Sequence, residues 1–362
     1  MQILKAARPV SRSYSSKATF AHNGARASVA DLLALLAAVL VTLLPPAVGA
    51  APPALILPLD CTPNRDCWIA NHVDLDPGPG IRDYACGALT YDGHNGTDFA
   101  IRDRAAMEEG VAVLAAAAGR VRAERDGVAD MSVSQAGKEA IRSRECGNGV
   151  VLQHGDGWET QYCHLRRGSV RVKQGEQVAA GQALGFVGLS GLTEYPHLHL
   201  TVRHKDKVVD PFRGERERPA CSAGHPLWRT KVAAELPYAP GAVYNTGFAA
   251  EEPDTEGVRS GRYRNARVLS ARAPILSFFA DIFGVSAGDT LDLRLIGPDG
   301  ATLAEQRVAI EQRQALRLAY VGVRRASGSW IPGVYRGEAR LIHAGGRFSP
   351  ASSRTATVEV RE

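Results

Sequence analysis

A chain of 362 residues, 45% hydrophobic and 22% charged, is long enough for two ordinary domains and too apolar to be disordered. Most of its formal net charge of +5 comes from the first 50 residues, where Lys5, Arg8, Arg12, Lys17 and Arg26 face one acid, Asp31. The rest of the chain carries 38 basic against 37 acidic residues, which leaves no electrostatic footprint for nucleic acid.

Residues 1–50 read as an export signal. A basic stretch precedes "LLALLAAVLVTLL" (Leu32 to Leu44), then Pro45-Pro46 and the small residues "AVGA". This run is short of the roughly 20 residues of a spanning helix, and the order of regions is that of a cleavable peptide. An uncleaved membrane anchor is the alternative. Residues 51–83 form a lead segment, in which Cys61 is a poor lipidation site because Asp60 precedes it and the apolar run ends far upstream. The acidic stretch "DLDPGPGIRD" (Asp74, Asp76, Asp83) fails as a calcium loop. Counted from Asp74, the position that needs a bidentate glutamate is Ala85, so a proline-glycine turn is the better account.

From 84 to 215, short β-type runs punctuated by glycine predict a compact antiparallel β domain. Within it, the polar and charged stretch at 123–146 reads as an insertion between strands, able to act as a lid. Residues 216–255, rich in proline, glycine and charge, read as a connector. In 256–362, Leu291, Leu293 and Leu295 alternate with Asp292 and Arg294 before a turn at Pro298-Asp299-Gly300, and Tyr335, Ala339 and Leu341 share a face. That alternation predicts an Ig-like β-sandwich, and the fold class is mainly β. Cys61, Cys67, Cys86, Cys146, Cys163 and Cys221 form an even set behind an export signal, hence disulfides, with 15 connectivities open.

Most of the ten histidines are ordinary: His22, His72, His204, His225 and His343 have no companions at ligand spacing. Two clusters differ. In "PHLHL", His197 and His199 project from one face of a strand. In "HNGTD", His94 and Asp98 share a face if extended, or meet if the chain turns at Gly96. A catalytic zinc takes three protein ligands and leaves a position for water, so the two motifs together offer one histidine more than needed. In "TQYCHL", His164 follows Tyr162 on the same face, and Cys163 is better placed in a disulfide than as a nucleophile.

These three motifs, in this order and with "GFVGLSGLTEYPHLHLTV" around the last, resemble the lysostaphin-type (LytM-like) zinc endopeptidases that cut peptidoglycan peptides. The similarity runs from about 84 to 212. It implies that His94, Asp98 and His199 hold one zinc ion and that His164 and His197 act in catalysis. His154 in "LQHGDG" matches a family histidine that is not a ligand and is assigned to strand or turn structure. The charged insertion and the cysteine set are not general family features, and they leave substrate range open. The resemblance implies peptidoglycan as substrate and an exported protein of the periplasm or cell envelope, or a secreted one. Two alternatives are a non-catalytic envelope module that binds wall or activates another hydrolase, and an exported lysin. The C-terminal module either positions the enzyme on wall or partner, or covers the catalytic domain. The bond cut and the oligomeric state are not legible.

Overall fold

The computed structural model describes residues 51–215, 224–344 and 351–362. The expectations for the export signal and for Cys221 lie outside these residues. Among the described residues, no helix is long and apolar enough to cross a membrane. The chain is mainly β, as expected.

The first half supplies β1 (Cys67–Asn71), β2 (Thr97–Ile101), β3 (Ala112–Leu114), β4 (Gly119–Arg125) and β5 (Asn148–Gly155). It continues with β6 (Trp158–Leu165), β7 (Gln177–Val178), β8 (Ala183–Phe186), β9 (His197–His204) and β10 (Lys207–Val208). The main sheet runs β1-β2-β9-β6-β5-β4-β7, with β10 paired to β9, while β3 and β8 form a separate ribbon. Two-residue alternation decides which face each side chain takes. On β9, Leu198, Leu200 and Val202 enter the core, as do Trp158, Thr160 and Tyr162 of β6. The intervening residues of both strands are left for the opposite face.

The segment expected as a lead is integral to this sheet. Cys67–Asn71 is its edge strand, and Leu55 and Leu59 are fully buried in its core. The disulfides Cys61–Cys67 and Cys146–Cys163 cross-link it, and Cys86 is also disulfide-bonded. The insertion holds only short helical turns, α2 (Val133–Ala136) and a 3-10 turn at Lys138–Ile141; α1 (Arg104–Glu109) precedes it.

The C-terminal half has two sheets around one core. One is β11 (Ala242–Ala249), β13 (Ile275–Val285) and β16 (Gln314–Arg324). The other, in order, is β12 (Val268–Ser270), β18 (Ala351–Arg361), β17 (Gly333–Ile342), β14 (Thr290–Ile296) and β15 (Thr302–Ala309). Phe278, Ile282, Leu291, Leu293, Tyr335 and Leu341 meet between them. Ala242–Ala249 was expected in the connector. It is a strand paired to β13, and the connector is correspondingly shorter.

The halves are joined by an apolar cluster of Trp68, Leu89, Tyr244 and Phe283, and the Arg354 guanidinium lies 5.0 Å from the centre of the Trp68 ring. Arg313 of the second half donates to the carbonyls of Ala88 (2.6 Å) and Thr90 (2.5 Å), just ahead of the loop that carries His94.

His72, expected to be a surface or hydrogen-bonded histidine, is buried among Tyr84, Phe212 and Tyr238, and its Nδ1 has no partner. Burial pushes its pKa down from 6.5 to about 4. The unfolded chain therefore takes up this proton at a higher pH than the folded one, so stability is lost as pH falls from 6.5 towards 4. The full difference is on the order of 3 kcal/mol. In metal-free protein, urea unfolding of His72→Phe and wild type at pH 7 and pH 4 should show the variant gaining relative stability in acid by up to about that amount. Parallel pH profiles would contradict this reading.

Candidate metal centre

The site is a row drawn across four strands by hydrogen-bond register. Asn71 of β1 pairs with Asp98 of β2, Asp98 with His199 of β9, and His199 with Cys163 of β6. His94 lies on the loop just before β2, so the "HNGTD" segment is part turn and part strand.

The sequence-predicted ligands come together. Asp98 Oδ1 lies 2.9 Å from His199 Nδ1 and 3.2 Å from His94 Nε2, and the two nitrogens are 3.1 Å apart. This is one of two groups of histidine, cysteine or acidic side chains among the described residues that could hold a metal ion; the other, Cys61, Asp66 and Cys67, has both thiols in a disulfide. Ligands bound tetrahedrally at 2.0–2.1 Å stand about 3.3 Å apart, so the triangle is close to the size that a zinc ion needs.

Hydrogen bonds outside the triangle fix which atoms point inward. His94 donates from Nδ1 to the His72 carbonyl at 2.6 Å, which leaves the Nε2 lone pair facing the site. His199 donates from Nε2 towards Asn95 Oδ1 and Thr201 Oγ1, each at 3.0 Å, leaving Nδ1 free. The second oxygen of Asp98 accepts from Asn71 Nδ2 at 2.9 Å, and the same amide donates to the Tyr195 hydroxyl. Such outer partners orient metal ligands and hold their tautomers. Burial alone would raise the Asp98 pKa. The neighbouring imidazoles of His94, His197 and His199 outweigh it and hold the carboxyl well below the usual carboxylate range.

The other two predicted residues flank the triangle. His197 donates from Nδ1 to the Tyr195 carbonyl at 2.9 Å, and its Nε2 is 3.4 Å from Asp98 Oδ1. His164 donates from Nδ1 to the Ser190 carbonyl at 2.7 Å, and its ring centre is 4.7 Å from that of His197. His164 departs from the expected alternation. Tyr162 faces the core, yet His164, two residues on, lines the cleft beside Cys163. The cause is a left-handed backbone at His164, φ 64°, which re-aims the side chain. The cleft above the row has a volume of about 390 Å³ and is bordered by Tyr91, Asn95, Glu145, Gln161, Leu192 and Arg203. His154 is structural, as assigned, bonded to the Ala118 carbonyl and Thr160 Oγ1 at 2.8 Å each.

Asn71, Asn95 and Tyr195 escaped the sequence reading. Asn95 sits inside the quoted motif and could have been found there; no local signal marks Asn71 or Tyr195.

Gly96 is needed for close approach. A Cβ there would lie 2.5 Å from His199 Nε2 and 2.8 Å from the Leu200 carbonyl oxygen. Gly96→Ala should therefore displace the His199 ring and weaken any metal binding at this site on the order of 10- to 100-fold, read by competition with a chelator. Unchanged affinity would contradict that account of the glycine.

Residues 92–211 match the profile of Peptidase family M23. Cell division protein DipM of Caulobacter vibrioides is 45% identical over 71 residues, covering 18% of this chain and 11% of that protein. Peptidoglycan DD-endopeptidase ShyA of Vibrio cholerae is 36% identical over 120 residues, 33% of this chain and 22% of that protein. DD-carboxypeptidase/endopeptidase Mpg of Neisseria meningitidis is 37% identical over 91 residues, 25% of this chain and 19% of that protein. This chain thus spans less than a quarter of the length of each of these relatives. The profile match encloses His94, Asp98, His164, His197 and His199, so residues 92–211 carry a Peptidase family M23 domain.

Proposed function

We propose that this protein is a zinc-dependent endopeptidase that hydrolyses peptide crosslinks or stem peptides of bacterial peptidoglycan. The observation that carries the proposal is the triangle of His94 Nε2, Asp98 Oδ1 and His199 Nδ1, with edges of 2.9–3.2 Å. Each ligand atom is held inward by a bond from the other end of its side chain. Two imidazoles and one carboxylate, open on the cleft side, are the donor set of a catalytic zinc. A zinc ion held by His94, Asp98 and His199 would supply Lewis acidity there, enough to make water reactive near neutral pH.

The chain's own groups do the rest. His164 and His197 each commit Nδ1–H to a backbone carbonyl, so each keeps Nε2 for the reaction. Burial, reinforced by the neighbouring His197 and His199, pushes the His164 pKa well below the ordinary histidine value. It is therefore neutral at pH 7, with an Nε2 lone pair able to orient the attacking water and take its proton. Once it has taken that proton, His164 can donate from Nε2–H to the oxyanion developing on the substrate carbonyl and return the proton to the leaving amine, while His197 beside it orients the water. Asn71 and Asn95 hold ligands and take no part in proton transfer.

The likeness to ShyA, a peptidoglycan DD-endopeptidase, and to Mpg, a DD-carboxypeptidase/endopeptidase, supports peptidoglycan peptides as the substrate class. The disulfides support work in an oxidising compartment such as the periplasm or cell envelope. The C-terminal β region fits best as a support for the peptidase domain, because Arg313 and the Trp68 cluster tie it to the strand and loop that carry Asn71 and His94. A wholly non-catalytic wall-binding module would have no need of a complete ligand triangle.

His94→Ala and His199→Ala should each lose stoichiometric zinc. His164→Ala should keep the metal yet lose cleavage of purified peptidoglycan by at least about a hundredfold. Mass spectrometry of the released peptides reads activity and the bond cut together. Undiminished cleavage by all three variants would overturn the proposal.

A further inference from the structure

The insertion between β4 and β5, read from sequence as able to act as a lid, is tied down by backbone hydrogen bonds. It packs beneath the 189–193 loop that orients both flanking histidines. Met131 and Val133 donate their backbone N–H groups to the carbonyls of Leu189 (3.0 Å) and Thr193 (2.8 Å), and Leu189 N–H donates back to Asp130 Oδ1 (2.8 Å). Leu192 N–H bonds to the Glu145 carbonyl at 2.8 Å. Ser190, the centre of this loop, accepts the His164 Nδ1–H at its carbonyl, while its hydroxyl accepts from Asn148 N–H (2.9 Å) and donates to the Leu165 carbonyl (2.7 Å).

The end of the insertion is bonded covalently to the residue before His164. The Cys146–Cys163 disulfide spans this junction, and the Cys146 carbonyl accepts the His164 backbone N–H at 2.8 Å. Gly147, with φ 62°, lies so close to the loop that a Cβ on it would be 2.3 Å from the Ser190 carbonyl oxygen. His164 itself is held at φ 64°, a left-handed conformation that is uncommon for a residue with a β-carbon.

We propose that the Cys146–Cys163 disulfide is a positioning element for His164. It holds the left-handed turn that swings this imidazole from the core face of β6 into the cleft, and it acts on the chemical step rather than on metal binding. The inference rests on the peptidase reading above. It requires that the ligand triangle be independent of the disulfide. The bonds that fix the triangle come from His72, Asn71, Asn95 and Thr201, none of them in the insertion.

The test compares the full chain carrying Cys146→Ser with Cys163→Ser against a control carrying Cys61→Ser with Cys67→Ser, which removes the disulfide at the far edge of the sheet. The first variant should keep stoichiometric zinc and a KM within about twofold of wild type, and lose roughly 10- to 100-fold in kcat on peptidoglycan peptides. Placed in a His164→Ala background, the same pair should cause no further loss. The control should retain kcat. Wild-type kcat without the Cys146–Cys163 bond would overturn the inference, as would loss of zinc or an equal loss in the His164→Ala background. Nitrogen NMR of the histidine rings decides the positioning without turnover. The His164 Nδ1–H should be protected from exchange in wild type and lose protection in the variant; equal protection would overturn the inference. Should wild type cleave no peptidoglycan at all, the peptidase reading fails, and this NMR comparison still tests the role of the disulfide.

Discussion

The site depends on strand register more than on any single contact. Asn71, Asp98, His199 and Cys163 occupy one line across β1, β2, β9 and β6 because the pairings Asn71↔Asp98, Asp98↔His199 and His199↔Cys163 are in step. A slip of one residue on β9 would turn His199 into the core and present Leu198 or Leu200 instead. The apolar face guards against that slip, since Leu198, Leu200 and Val202 are almost wholly buried. The same alternation that builds the core therefore places His199 beside Asp98, as the proposed metal site requires.

Four imidazoles and a carboxylate packed this closely need their protons assigned. Each of His94, His164 and His197 gives its Nδ1–H to a main-chain carbonyl, and His199 gives Nε2–H to Asn95 and Thr201. Every ring thus keeps one lone pair, and the backbone, which cannot titrate, decides which. The carbonyls come from loops around the sheet, at His72, Ser190 and Tyr195, so those loops are part of the site although they supply no ligand. The support extends into the C-terminal half, where Arg313 bonds to the carbonyl of Thr90, whose hydroxyl bonds to the same His72 carbonyl that accepts from His94.

Much of this was legible in the sequence. Period-two alternation placed His197 and His199 on one face, and the H-x-x-x-D spacing with glycine brought His94 to Asp98. What stayed hidden is non-local or turns on one backbone angle. Asn71 reaches Asp98 after a register irregularity between Ile69 and Asn71 that no residue announces. His164 leaves the face of Tyr162 through a positive φ that glycine would have flagged and histidine does not. Ala242–Ala249 was hidden among connector residues because its strand character comes from pairing with β13, whose partners Ser277 to Phe283 lie far along the chain. The insertion looked like a lid because it is polar; its backbone bonds to the 189–193 loop could not be read from composition.

Zinc-edge anomalous diffraction from crystals of the zinc-loaded chain tests the central claim most directly. The account predicts one dominant peak about 2.0–2.2 Å from His94 Nε2, Asp98 Oδ1 and His199 Nδ1 alike. A fully occupied zinc elsewhere, or one that leaves the Asp98 carboxylate out of bonding reach, would contradict it.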